Sequence, residues 1–158
     1  MSSSARTPVL VGVGQALQRL EDPSQALEPL ALMQRALEQA ARDSGAPNLL
    51  KQTNAFYVLR GAWGYADPGR ELARCFGATV DETIDTPYGG NYAQACVLDA
   101  ARAIQDGHRK VALIAGAENS RSQGQAQREG DRQRRARPRE GAGHPPLQPG
   151  QTRRRDLD

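Results

Sequence analysis

The feature that most constrains this chain is a seam near Ser120. Beyond it, the only apolar residues are Ala126, Ala136, Ala142, Leu147 and Leu157, with no Val, Ile, Phe, Tyr, Trp, Met or Cys. The charge changes sign at the same place. Residues 1–120 carry 11 Lys and Arg against 13 Asp and Glu, a net of −2, whereas residues 121–158 carry 10 Arg against 5 acids, a net of +5. A segment so poor in apolar side chains cannot bury enough surface to offset the entropy of ordering it. The seam therefore predicts a globular body over residues 7–128 and a disordered Arg/Pro/Gly-rich tail over 129–158, with helical order fading near Gln127.

Several classes fall away at once. The longest apolar run, Val111 to Ala117, is too short to span a bilayer, and the N-terminus is a poor secretory signal. Two cysteines, Cys75 and Cys96, make neither a disulfide framework nor a metal cluster. A cytoplasmic protein without a resident cofactor is the expectation.

Within the body, apolar patterning alternates between two periods. Pro8 to Val13 (PVLVGV), Asn54 to Leu59 (NAFYVL), Thr79 to Ile84 (TVDETI) and Val111 to Ala115 (VALIA) read as strands, the third polar enough to lie at an edge. Between them, Leu30, Met33, Leu37, Ala40 and Ala41 recur at helical spacing, with Pro29 near the start and Gly45 just past the end. Asp67-Pro68 opens a shorter helix closed by Gly77, and Ala93, Val97, Ala100, Ala101 and Ile104 mark a third, ended by Gly107. The order βαβαβαβ with short turns predicts an α/β fold with a mostly parallel sheet and right-handed crossovers.

Functional groups in such sheets gather at the carboxyl ends of the strands, which singles out three junctions. Gly12-Val13-Gly14 imitates a dinucleotide fingerprint, but Leu17 stands where the third glycine belongs and no helix opens directly behind it. Thr86 to Asn91 enters the helix that begins near Ala93, where free backbone N–H groups would suit a nucleophile or an oxyanion. The competing reading is a Gly-rich turn with Asn91 as N-cap. Ala115 to Ser120 follows the last strand, where Glu118 could orient a neighbouring loop or simply be a solvated acid. Cys96 falls about two turns inside a helix, away from the end that would lower its pKa, so a buried packing role is expected. Cys75, beside Phe76, is expected to pack as well, and His108 to be exposed.

These junctions in this order resemble the N-terminal half of the thiolase superfamily. The matching stretches are TPVLVGVGQ, the helix ending in EQAARDSG, and above all GGNYAQACVLDAARAIQDGHRKVALIAGAENS, within residues 7–130. The resemblance implies an incomplete layered αβαβα sandwich, homo- or hetero-oligomeric, whose family transfers acyl groups between coenzyme A thioesters. Acyl-CoA is then the implied substrate. Strand three and the Gly89-Gly90 loop would lie at the family's dimer contact. Counting back from Gly107 and Glu118 puts the nucleophile position at Gly90, between Gly89 and Asn91, where glycine has no side chain to carry an acyl group. Cys96, six residues on, does not replace it.

The turn is closer to a branch identified as acetyl-CoA acetyltransferase that carries GGN there. That branch tends to continue with Thr or Ser and Pro-Gln, whereas this chain reads Gly89-Gly90-Asn91-Tyr92-Ala93-Gln94. The family's second half, with its base histidine and second cysteine, has no counterpart. From about Gly130 the composition is that of a GC-rich gene read out of frame, so a frameshifted tail is expected. The implied function is that of an acyltransferase fragment, inactive alone. Two alternatives stand beside it: a non-catalytic thiolase-like partner subunit, and a weaker one, nucleic-acid binding through the Arg-rich tail, which lacks interleaved aromatics. The uncovered sheet face of such a half-sandwich should leave residues 1–130 poorly soluble or oligomeric.

Overall fold

The computed structural model describes residues 6–136. Three strands, β1 (Ala55–Leu59), β2 (Glu82–Asp85) and β3 (Ala112–Gly116), form a parallel sheet in the order β2-β1-β3. Register pairs Tyr57 with Ile84 on one side and with Ile114 on the other. The central strand is buried on both faces, which explains why AFYVL is an unbroken apolar run. The polar β2 lies at an edge, as its sequence suggested. Its start is held by Arg109, whose guanidinium meets Glu82 at 2.6 Å.

Alternation along β1 divides the core in two. Phe56 and Val58 face α1 (Pro29–Asp43) and α3 (Pro68–Phe76), where Met33, Leu37, Leu72 and Ala73 close over them. Ala55 and Tyr57 face α4 (Tyr92–Gln105), where Cys96 and Ala100 meet them. Helices therefore cover both faces, an α/β arrangement in three layers. Each fully buried Leu, Met or Phe in these two clusters contributes about 1.5–3 kcal/mol of transfer free energy. A one-turn helix, α2 (Leu49–Gln52), precedes β1. Thr53 then donates its hydroxyl to the Val111 carbonyl at 3.1 Å, aligning the starts of β1 and β3.

The helix boundaries follow local chemistry. Pro29 opens α1, and Gly45 takes a positive φ of 68° just past its end. Asp67 caps α3 by accepting from the Arg70 amide at 2.9 Å. Burial works against the Asp67 carboxylate, but hydrogen bonds from the Arg70 amide and side chain and from Thr83 outweigh it and hold its pKa below the usual aspartate value. A group with a depressed folded-state pKa stabilises the fold above its unfolded pKa, and that contribution fades as pH falls through the folded value. Asp67→Ala should therefore cost about 1 kcal/mol at neutral pH. Urea titrations at neutral and acid pH should show the gap between parent and variant closing in acid.

Four expectations need correction. Pro8–Val13 is not a strand: residues 6–20 have no regular secondary structure, and the segment lies against α1 without joining the sheet. Its glycines explain the contact. A Cβ on Gly12 would overlap the Ala40 carbonyl oxygen, and one on Gly14 the Ala36 carbonyl oxygen. The Val13 amide donates to Asp43 at 2.9 Å, a bond to a helix side chain and not to a neighbouring strand. The third strand begins at Glu82, later than the expected Thr79, because Asp81 is a bend whose amide donates to the Asn54 carbonyl.

Cys75 is exposed: on α3 it is Phe76 that turns inward, stacking on Phe56 with ring centroids 6.5 Å apart. Finally, α5 (Ser120–Ala136) carries helical order beyond Gln127 and past the boundary expected at residue 128. Gln, Arg, Ala and Glu are good helix formers, and backbone pairing within a helix does not require an apolar face. The remaining expected tail, residues 137–158, lies outside the described residues. No helix among the described residues is long and apolar enough to cross a membrane.

Candidate functional site

Because all three strands run parallel, their carboxyl ends emerge along one rim of the sheet, and the loops that follow them meet there. After β1 comes Arg60-Gly61-Ala62-Trp63, after β2 the turn Thr86 to Asn91, and after β3 Ala117-Glu118-Asn119. The three are tied together by specific hydrogen bonds. Thr86 is buried; its amide donates to the Val58 carbonyl at 3.0 Å, and its hydroxyl oxygen accepts from the Arg60 amide at 3.0 Å. That pair joins the β1 and β2 exits.

Glu118 joins the β1 and β3 exits. One carboxylate oxygen accepts from the Ala62 amide at 2.8 Å and the other from the Ser120 hydroxyl at 2.8 Å. The Trp63 indole N–H donates to the Ala117 carbonyl at 3.0 Å. Glu118 therefore orients a neighbouring loop, one of the two roles its sequence position left open. Gly61 makes this clasp possible: a Cβ there would overlap the Trp63 indole nitrogen and stand 2.7 Å from the Ala117 oxygen. The Arg60 guanidinium lies over the Trp63 ring, 5.4 Å from its centroid, and Tyr65 packs beside that ring at 5.2 Å. Sequence reasoning passed over Arg60, Gly61 and Trp63. Their one available signal was a glycine and the chain's lone tryptophan directly behind a predicted strand.

The turn after β2 holds the residues singled out for chemistry. Gly90 lies just before α4, with nothing within 4 Å of the position a Cβ would take, whereas a Cβ on Gly89 would stand 2.9 Å from the Asn91 side-chain oxygen. Asn91 occupies the N-cap position of α4 but makes no side-chain cap hydrogen bond. The exposed ring of Tyr88 borders the same turn. Just inside β2, burial pushes the Asp85 carboxyl pKa up, the negative charge of Asp67 adds to this, and Arg60 opposes it.

Cys96 is not part of this rim. It packs against Ala55, Tyr57 and Ala100 under the sheet, where burial, and then the Asp99 charge, push its thiol pKa up. Asp99 also accepts the Tyr57 hydroxyl at 2.9 Å, locking α4 to the central strand. Burial, and then that bond, push the Tyr57 pKa up. The first junction, Gly12-Val13-Gly14, takes no part in these hydrogen bonds; its glycines make the close contact with α1, beside the end of β3. His108 is exposed beyond the end of α4. Among the described residues, no group of His, Cys, Asp and Glu could hold a metal ion.

No protein-family model matches the chain, and no curated protein matches it. Among solved structures, it is similar to the crystal structure of a monomeric SCP2-thiolase like protein type 1 from Mycobacterium smegmatis, with a TM-score of 0.63 and 27% sequence identity. The similarity covers 75% of this chain but only 24% of that one, so the chain spans about a quarter of its length. With three parallel strands between helical layers and loops gathered at one rim, the chain carries a thiolase-like fold.

Proposed function

We propose that this chain is part of a thiolase-like acyl-CoA acyltransferase scaffold, of the acetyl-CoA acetyltransferase kind, and that it does not form an acyl-enzyme by itself. The observation that carries this reading is Gly90. It stands at the turn before α4 where the resemblance places a nucleophile, and it has no side chain to attack a thioester. Neither cysteine takes over: Cys96 is buried with a raised pKa, and Cys75 lies on the outer face of α3. An acyl-CoA would meet backbone N–H groups and the Gly89-Gly90 turn, which allows close approach, but no cysteine thiol of the described residues at that turn.

Incubation with acetyl-CoA should give no acetyl adduct by intact mass and no release of coenzyme A thiol above the uncatalysed rate. An adduct mapped to Cys96, or steady thiol release, would overturn the reading. The strip of exposed apolar residues near the N-terminus favours a second reading, a non-catalytic thiolase-like subunit that works in a complex. Co-purification with a second thiolase-like subunit in fixed stoichiometry would distinguish it.

A further inference from the structure

Parallel pairing of β1 with β2 has a fixed rhythm, in which alternate residues of a strand turn both backbone groups toward the same neighbour. With Val58 opposite Asp85, the ladder should continue in two bonds, from the Thr86 amide to the Val58 carbonyl and from the Arg60 amide to the Thr86 carbonyl. The first is present at 3.0 Å. In place of the second, the Arg60 amide donates to the Thr86 hydroxyl oxygen, also at 3.0 Å. The side chain thus stands in for its own carbonyl as the last acceptor of the ladder. The freed backbone leaves the sheet at once, and Pro87, which has no N–H to pair, leads outward into Tyr88-Gly89-Gly90. Thr86 is only 8% exposed, so water does not readily take the place of its hydroxyl.

The turn that follows has little else to hold it. Among the described residues, no hydrogen bond joins residues 87–91 to anything outside the turn and α4; the Tyr92 amide donates to the Gly89 carbonyl at 3.4 Å. Asn91 makes no side-chain cap bond, and open space surrounds the Cβ position of Gly90. On its other side, Thr86 leads through Arg60 straight into the clasp, where the Ala62 amide meets Glu118 and the Trp63 indole meets the Ala117 carbonyl. We propose that Thr86 is the positioning residue of this rim: its hydroxyl registers the Gly89-Gly90 turn against the Arg60–Glu118 clasp, so that an acyl-CoA meets turn and clasp in one fixed geometry. This role rests on the reading of the rim as a thiolase-like acyl-CoA site.

Three variants of the full chain test it: Thr86→Val, which replaces the hydroxyl by a methyl, Thr86→Ala, which leaves out both, and Thr86→Ser, which keeps the hydroxyl. Amide hydrogen exchange followed by NMR should quicken about tenfold at Arg60 in the two hydroxyl-free variants, and about threefold at Tyr92 as the turn loosens. Thr86→Ser should exchange like the parent. In the Gly90→Cys, Cys75→Ser background, loss of the hydroxyl should also slow iodoacetamide alkylation at position 90 about threefold, and Thr86→Ser should keep the rate. A Thr86 that served stability alone would lower the melting temperature and move neither Tyr92 nor the thiol. Unchanged exchange at Tyr92 in both hydroxyl-free variants, or equal loss in Thr86→Ser, would overturn the proposal. Slow alkylation at position 90 with Thr86 intact would count instead against the rim as an acyl-CoA site, while exchange at Tyr92 would still decide the role of Thr86.

Discussion

Phe56→Ala is expected to remove a large part of the stability of this fold. Phe56 is completely buried on the central strand and is stacked nearly parallel to Phe76, with 6° between the ring planes. It touches the cluster that joins α1, α3 and the sheet, so no single element can collapse into the space it leaves. Truncations of this kind cost about 3–5 kcal/mol, the transfer free energy plus the cavity. A domain of this size has only about 5–15 kcal/mol in total.

Urea denaturation followed by circular dichroism should show the midpoint falling by at least about a fifth, or no cooperative transition at all. Phe56→Leu should retain more of the stability because it leaves a smaller void. Val11→Ala, at an exposed position, should stay within about 0.5 kcal/mol of the parent in the monomer. Equal effects of Phe56→Ala and Val11→Ala would mean that the core is not where the packing places it.

Gly90→Cys in a Cys75→Ser background should create a thiol that alkylates at least about tenfold faster than Cys96 in the folded protein. Two facts support this. The position is sterically open, so a side chain can be added without displacing a neighbour. It also lies at the N-terminal end of α4, where the helix dipole and free amides favour a thiolate. Cys96 has the opposite environment, buried and beside Asp99. Iodoacetamide labelling followed by peptide mapping reads the difference directly: the thiolate displaces iodide at position 90, and Cys96 reacts only after unfolding. Labelling of both cysteines at one rate would remove the argument that this turn is suited to a nucleophile. The same variant given acetyl-CoA would show whether a thiol is the only element missing, or whether the turn also needs a base that the described residues do not place beside it.

The clasp at the strand ends marks the limit of what could be read from residues in order. Glu118, an acid behind small residues at a strand end, could be read either as orienting a loop or as a solvated acid. Its partner, the Ala62 amide, lies 56 residues away and carries no side-chain signal. The role of Trp63 exists only where its indole N–H meets the Ala117 carbonyl, 54 residues away. Gly61 has meaning only once both loops are present, since its missing Cβ is the space they share. The open space at Gly90 was equally hidden: a glycine in sequence says that a side chain is absent, not whether one would fit.

Three helices, the strand AFYVL, the polar edge strand and the α/β class were legible from the residues alone. Each is decided by chemistry within a few positions: Pro29 and Gly45 at the ends of α1, the Asp67 cap and left-handed Gly77 on α3, and alternation of Ala55, Phe56, Tyr57 and Val58 between two helical layers. What only the tertiary structure decided is which strand-like segment is paired and which is not. Pro8–Val13 and Val111–Ala115 are both short apolar runs that read as strands, yet β3 joins the ladder while Pro8–Val13 packs on α1, where Gly12 and the following Gly14 make close contacts. Pairing is a contest between surfaces far apart in the chain, settled by where α1 comes to rest, and local propensity has no term for it.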